Sequence, residues 1–141
     1  IDRELVLSKK IQELIEEMLV IMKTADGVGL AAPQVDESIR LCVINQTADE
    51  TNLKNDLILI NPVWKKISIR KDMMEEGCLS VPKTFGKVKR YVKVKVEALN
   101  EKGEPISFSA SDLLARVIQH EVDHLDGILF IDKAKDVYQT E

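Results

Sequence analysis

Aromatic side chains are scarce in this sequence, with one tryptophan, two tyrosines and three phenylalanines among 141 residues. Its core must therefore be mostly aliphatic. No stretch approaches the roughly 18 consecutive apolar residues of a membrane span, and the N-terminal residues lack the basic-then-apolar order of a signal peptide. The expected location is the cytoplasm, with no membrane partner. Positive charge is not in excess either: a net charge of −4 argues against a protein held mainly by nucleic acid or anionic lipid. Cysteine is limited to Cys42 and Cys78, which could form one disulfide, although a metal-ligating thiolate is the better use for one of them beside a two-histidine motif. Repeats and low-complexity tracts are missing. With 45% hydrophobic and 31% charged residues the chain is an ordinary folding sequence, and its length suits a single catalytic domain over residues 1–141.

The only two histidines stand four apart in Gln119-His120-Glu121-Val122-Asp123-His124-Leu125-Asp126-Gly127. On a helix that spacing places two imidazoles one above the other, able to present themselves to one cation. Glu121 is rotated off that face, so its carboxylate can reach a water on the cation without necessarily binding the metal, which is the mechanical content of H-E-x-x-H. A catalytic site of this kind needs a third protein ligand and one open position. In one class of zinc proteases the third ligand is a histidine three residues past the glycine, and here that position is Phe130. A downstream glutamate serves another class, but Glu141 at the end of the chain is a poor candidate. The third ligand must be sought upstream, where Glu75-Glu76-Gly77-Cys78-Leu79-Ser80-Val81-Pro82 holds a cysteine between a glycine that frees the backbone and a proline that stiffens the exit.

The rest of the chain supplies a scaffold. Ile11, Leu14, Ile15, Met18, Leu19 and Met22 recur at helical spacing between Ser8, a plausible N-cap, and Thr24, and Asp26-Gly27 ends the pattern. Gly27-Val28-Gly29-Leu30-Ala31-Ala32-Pro33-Gln34 lacks the spacing and lysine of a phosphate loop, and Pro33 forbids the helix that should follow one; its glycines would let another chain approach the backbone. Residues 40–45 and 57–61 read as short apolar strands, and Ile67 and Ile69 alternate with polar neighbours. From Val88 to Leu99 one sustained alternation puts Val88, Val92, Val94, Val96 and Ala98 on a core face and Lys89, Tyr91, Lys93, Lys95 and Glu97 on a wet one. Without interleaved aromatics, and in an acidic chain, that lysine row reads as a solvated face that also guards a sheet edge, so no direct nucleic-acid binding is expected. Ile106 and Phe108 form a returning strand, and Ser109-Ala110-Ser111-Asp112 fits a capping box opening the histidine helix, which Gly127 closes. The expected fold class is α+β: small mixed or antiparallel β-sheets around a central metal-binding helix, with one N-terminal packing helix.

The segments Gly27 to Gln34, Glu76 to Ser80 and Gln119 to Gly127 together resemble the three signature motifs of the peptide deformylases, in order and at ordinary separations. The likeness runs over roughly residues 10 to 132, and Val81-Pro82 with Phe85 to Arg90 is similar to the bacterial type. There are three departures. The strand-forming segment before the first helix is nearly absent, residues 131–141 leave no space for the C-terminal helix of many bacterial members, and Asp36 stands where a glycine is common.

The resemblance implies a hydrolase that removes the formyl group from N-terminal formyl-methionine of newly made proteins and releases formate. It implies Cys78, His120 and His124 as ligands of one divalent metal, Fe2+ in the usual family member with Zn2+ or Ni2+ able to replace it. Glu121 would handle the proton, and the Gln34 amide with the Leu79 N–H would stabilise the oxyanion. Val28, Gly29 and Gly77 would meet the substrate backbone. Leu113, Arg116 and Val117 lie seven, four and three positions before His120 and would wall the methionine pocket, Arg116 through its stem with its guanidinium in solvent. Glu76 and Arg90 would form a charge pair bracing the cysteine loop. The implied partners are N-formyl-methionyl nascent chains, with the ribosome as their place of encounter. Two other readings are a short metalloprotease and a non-catalytic zinc domain closed by Cys42, Cys78, His120 and His124; the second leaves Glu121 without a use.

Overall fold

The computed structural model describes residues 1–78 and 81–140. Helix α1 (Lys9–Thr24) follows a single 3-10 turn, and Ser8 caps it by accepting from the Ile11 N–H. Ile11, Leu14, Ile15, Met18 and Met22 are buried along its inner stripe. Strands β1 (Gly29–Ala31), β2 (Leu41–Ile44), β3 (Leu57–Lys66), β6 (Lys93–Leu99) and β7 (Pro105–Ser111) make a five-stranded sheet in the order β1-β2-β3-β6-β7. A second sheet has the order β4-β5-β8, from β4 (Lys71–Cys78), β5 (Val81–Tyr91) and β8 (Lys135–Gln139). Every strand pairing in both sheets is antiparallel.

Helix α2 (Asp112–Leu125) carries the histidines and is enclosed by this frame: from Leu114 to His124 every residue is buried. Its apolar residues Leu114, Ala115, Val117, Ile118 and Val122 join Ala31, Cys42, Ile44, Leu59, Val94, Val96 and Ala98 from the large sheet. Each large aliphatic side chain sealed in this way contributes about 1.5–3 kcal/mol. The opposite face of strands β1 to β3 packs on α1 through Leu30, Leu41, Val43 and Ile60. An aliphatic core on each side of one sheet therefore holds the metal-motif helix rigid.

Several local expectations need correction. The alternation from Val88 to Leu99 is two strands, not one; it breaks at Val92, where the chain leaves the small sheet for the large one. A period of two continues through such a corner and cannot reveal it. β6 is also an interior strand, so its lysines guard no edge. Ile67 and Ile69 lie in the loop between β3 and β4, and Ile69 is 89% exposed. Ser109 lies within β7 and the residue preceding α2 is Ser111, which makes no side-chain cap bond, so the capping box expected from Ser109 to Asp112 is not formed; Asp112 has φ 54°. Pro33 sits inside a 3-10 turn (Ala32–Val35), in the first positions, where its missing N–H costs nothing. Asp36 ends that turn in the left-handed region at φ 63°, which explains why glycine suits the position; aspartate is among the few side chains that tolerate it. After the short helix α3 (Phe130–Lys133), the chain ends in β8, paired with β5.

Candidate active site

The three motifs meet at α2. Cys78 Sγ lies 3.1 Å from His124 Nε2, which lies 3.3 Å from His120 Nε2. One donor atom from each of Cys78, His120 and His124 falls within 4.8 Å of the others. Cys78 reaches this position at a register shift between β4 and β5, where Gly77 pairs with Phe85 but Cys78 pairs with Val81. Such irregularities re-aim a side chain out of the ladder. Gly77 is needed there, since a Cβ would stand 2.7 Å from the Phe85 ring. Cys42 is buried in the core on β2 and forms no part of the cluster, so the four-ligand closed site is not assembled.

His120 is oriented from behind. Its Nδ1 lies 2.9 Å from Glu76 Oε1, which fixes the ring and leaves Nε2 toward Cys78 and His124. Glu76 in turn accepts two hydrogen bonds from Arg90, from Nε at 3.1 Å and Nη2 at 3.0 Å, in the fork geometry a guanidinium offers a carboxylate. Burial works against the charged form of Glu76, yet the hydrogen bonds from His120 and Arg90 hold its carboxyl down to about 2. Arg90 also donates to Asp123 at 2.5 Å, and Lys133 from α3 reaches the same carboxylate at 3.1 Å. Asp123 and Lys133 escaped the sequence reading; the one available signal was that Asp123 lies one helical turn past His120. Phe130, where a protease would place its third histidine, is buried and stacks on His120 with ring centroids 6.1 Å apart.

Arg116 is placed differently from expectation. Its guanidinium does not reach solvent: Arg116 is 6% exposed and donates to Glu76 Oε2 at 2.5 Å, to the Val88 carbonyl at 3.0 Å and to the Asp72 carbonyl at 2.6 Å. A snorkelling arginine was the cheaper reading only while its buried carboxylate partner was unknown.

Glu121 is 3% exposed, and its Oε1 has no hydrogen-bond partner among the described residues. Burial pushes its carboxyl up to about 7, against the opposing pull of His120 and His124. A carboxyl poised near neutrality can both take and return a proton. Gly29 makes room for it, since a Cβ there would collide with Glu121 Oε2 and come within 3.0 Å of its Cγ and Cδ. The Gln34 amide oxygen accepts from the Ala31 N–H at 2.8 Å, which directs its nitrogen toward Cys78 Sγ at 3.3 Å. Leu79, the other expected oxyanion donor, lies outside the described residues.

Beside this cluster is a cavity of about 640 Å³. Val28, Gly29, Gly77, Leu113, Arg116 and Val117 all line it, with His120 and Glu121 at its inner end. Met74, Val81 and Phe85 line it too and were not foreseen; they sit on strands whose sequence pattern does not distinguish a cavity wall from a core face. Leu113 is 41% exposed and stands at the mouth, whereas Val117 is buried. β1 is an edge strand of its sheet, with one side paired to β2 and the other beside the cavity.

A helix bearing two inward imidazoles and a buried carboxyl group, with a cysteine sulfur from a neighbouring strand and an open cavity on one side, has the make-up of a metal-dependent hydrolase site. The donor set fits a cation: three ligand atoms converge, and the ring nitrogen of His120 away from them is already engaged. The narrower assignment follows from comparison. The sequence matches the family described as polypeptide deformylase over residues 2–140. It is 50% identical over 127 residues to a peptide deformylase of Halothermothrix orenii, covering 90% of this chain and 79% of that one. The fold superimposes on a class I type b peptide deformylase of Acinetobacter baumannii with a TM-score of 0.87 at 36% identity, covering 94% of this chain and 86% of that one. A Met-Ala-Ser-bound structure of that class matches with a TM-score of 0.85 over the same shares. The chain belongs to the polypeptide deformylase family, metal-dependent hydrolases that remove the formyl group from nascent peptides.

Proposed function

We propose that Cys78, His120 and His124 hold a single divalent metal, with Fe2+ as the working ion and Zn2+ or Ni2+ as competent substitutes, since two imidazoles and one thiolate suit several divalent metals. When bound, the ion acts as a Lewis acid that polarises the formyl carbonyl and lowers the pKa of water at the open position. Glu121 takes the proton from the attacking water and returns it to the amine as the C–N bond breaks, leaving formate and a free methionyl amine. The Gln34 nitrogen, held in place by the Ala31 N–H on its oxygen, donates to the oxygen on which negative charge develops, and the Leu79 N–H is its partner in that role. Glu76 keeps His120 in one tautomer.

The substrate is an N-formyl-methionyl chain, met as it leaves the ribosome in the cytoplasm, and residues 1–141 work as one catalytic unit. Its backbone lies against Val28, Gly29 and Gly77, and its methionine side chain enters the cavity past Leu113 toward Val117 and the stem of Arg116. The Met-Ala-Ser tripeptide bound by the Acinetobacter baumannii relative has the form of the expected product, a chain with a free N-terminal methionine. The observation that carries the reading is the convergence of Cys78, His120 and His124 beside the buried Oε1 of Glu121, which has no hydrogen-bond partner among the described residues. Formate release from a formyl-methionyl tripeptide, measured beside metal content on the same sample, tests it. Release that requires metal and stops on chelation is expected; release from metal-free protein, or cleavage of internal peptide bonds instead, refutes it.

A further inference from the structure

Away from the active site, this acidic chain gathers positive charge on one surface. Residues 63–73 hold Lys65, Lys66, Arg70 and Lys71 against Asp72 alone, and residues 87–97 hold Lys87, Lys89, Arg90, Lys93 and Lys95 against Glu97 alone, with Lys87 opposite Glu75 on β4. Arg90 is buried in the active-site network, and the lysines are exposed. β3 and β6 pair so that Lys65 stands directly opposite Lys95, with Lys93 two residues away on the same face. The β3–β4 loop is fastened to Lys93, with the Ile67 N–H donating to the Lys93 carbonyl at 2.9 Å and the Lys93 N–H to Ser68 Oγ at 3.2 Å. Lys66 and Lys71 both stand over the Tyr91 ring, 5.6 and 4.6 Å from its centroid. Among the described residues, none of Lys65, Lys66, Lys71, Lys93 and Lys95 makes an ion pair.

Edge protection does not account for this. β3, β5 and β6 are interior strands, already paired on both sides. Like charges facing each other across a strand pair destabilise the sheet, so the Lys65–Lys95 register works against folding with no structural return. The rows continue onto β7 with hydroxyls: Ser109 is opposite Lys95 and Ser111 opposite Lys93, both exposed. Lysines flanked by serines are the side chains that hold phosphate oxygens. Successive same-face residues of a strand are about 6.7 Å apart, of the order of the separation of neighbouring phosphates on a nucleic-acid strand.

We infer that the Lys65–Lys93–Lys95 face, with Ser109 and Ser111, binds the phosphodiester backbone of RNA. Base stacking has no part in it: Trp64 packs on Tyr91 with ring centroids 5.9 Å apart, and lysines cover Tyr91. Binding is therefore sequence-independent and strongly salt-dependent. An anionic membrane fits less well, because the apolar groups exposed beside the lysines are few and scattered, Val63 on β3 with Ile67 and Ile69 on the following loop, whereas the charged rows run into serines.

The test uses the metal-loaded chain and a fluorescein-labelled RNA hairpin, followed by anisotropy between about 50 and about 200 mM salt. Saturable binding is expected at the lower salt. Lys65→Gln/Lys93→Gln/Lys95→Gln should weaken it at least about tenfold and flatten the slope of log K against log salt by about 2.1–2.7, from three phosphate contacts at roughly 0.7–0.9 each. Its turnover of a short formyl-methionyl peptide should match the parent, which shows that the fold survives; if it does not, the single variants Lys65→Gln and Lys95→Gln should each lower the slope by roughly 0.7–0.9. Lys9→Gln/Lys10→Gln on α1 should leave binding within about twofold. Absence of saturable binding at about 50 mM salt, an unchanged slope in the lysine variants, or an equal loss in the α1 variant overturns the inference. So does tighter binding to phosphatidylserine vesicles than to the hairpin with the same loss in the triple variant.

Discussion

Gly29→Ala is the smallest change that should separate chemistry from metal binding. Gly29 lies in an edge strand and its backbone is not in the left-handed region, so alanine is acceptable to the chain itself. The added methyl would nevertheless collide with Glu121 Oε2 and sit 3.0 Å from both Cγ and Cδ of the same side chain. Ordinary contact begins near 3.4 Å, so the carboxylate must move, and the clash with three of its atoms rules out a simple rotation of the end group. A displacement of about 1 Å of a reacting group lowers the rate by about 10²-fold, equivalent to about 2.7 kcal/mol of barrier.

The three atoms nearest the methyl all belong to Glu121 and none to Cys78, His120 or His124, so metal content should equal that of the parent. The assay is steady-state formate release with metal analysis on the same preparation. We expect kcat to fall about 100-fold, with KM changing less because the methyl faces Glu121. Combining Gly29→Ala with Glu121→Ala should lower kcat no further than Glu121→Ala alone, since both act through one carboxylate. A Gly29→Ala protein with near-parental kcat, or a double variant whose losses multiply, would refute the placement of Glu121 at the reacting centre.

Glu121→Ala should retain the metal and lose roughly 10²–10⁴ in kcat, whereas Cys78→Ala should lose metal and activity together; metal analysis beside turnover separates them. Arg90→Leu should destabilise the fold by about 1.5–3 kcal/mol, because Glu76 and Asp123 lose the donor they share while keeping Arg116 and Lys133, and Arg90→Lys should recover only part of this; urea denaturation gives the difference. Gly127→Ala should cost about 1 kcal/mol with no effect on kcat, since Gly127 has φ 77° after α2 and open space where the methyl would go.

The sequence was most informative where one short segment contains the whole feature. The α1 stripe, its Ser8 cap and the two-histidine face of α2 depend on spacing alone, and spacing is local. The oppositely charged pair Glu76 and Arg90 was foreseen only through family positions, because nothing within either strand marks the other as its partner. The single strand drawn from Val88 to Leu99 failed for a related reason. Its alternation reports which side of the backbone faces the core, and Val88, Val94 and Val96 are indeed buried, but it carries no information on which sheet each half joins.

Arg116 shows the limit most clearly. From the sequence it is a long cation on a helix beside a metal motif, and the least costly arrangement keeps its charge in water. In the fold, Glu76 already faces His120 and Arg90 from the same buried point, and one carboxylate with two oxygens can satisfy several donors at once. Arg116 and Arg90 then both lie inside, where the Val88 and Asp72 carbonyls take two further Arg116 donors. Two guanidiniums around one carboxylate make the back of the cysteine loop cationic. This keeps Glu76 ionised, and an ionised Glu76 accepts from His120 Nδ1, so the ring's other nitrogen is left to face Cys78 and His124. The cavity-lining Arg116 and the ring of His120 are thus connected through a single carboxylate. Substitution at Arg116 should accordingly disturb metal affinity as well as substrate fit, a coupling that spacing along a helix could not have disclosed.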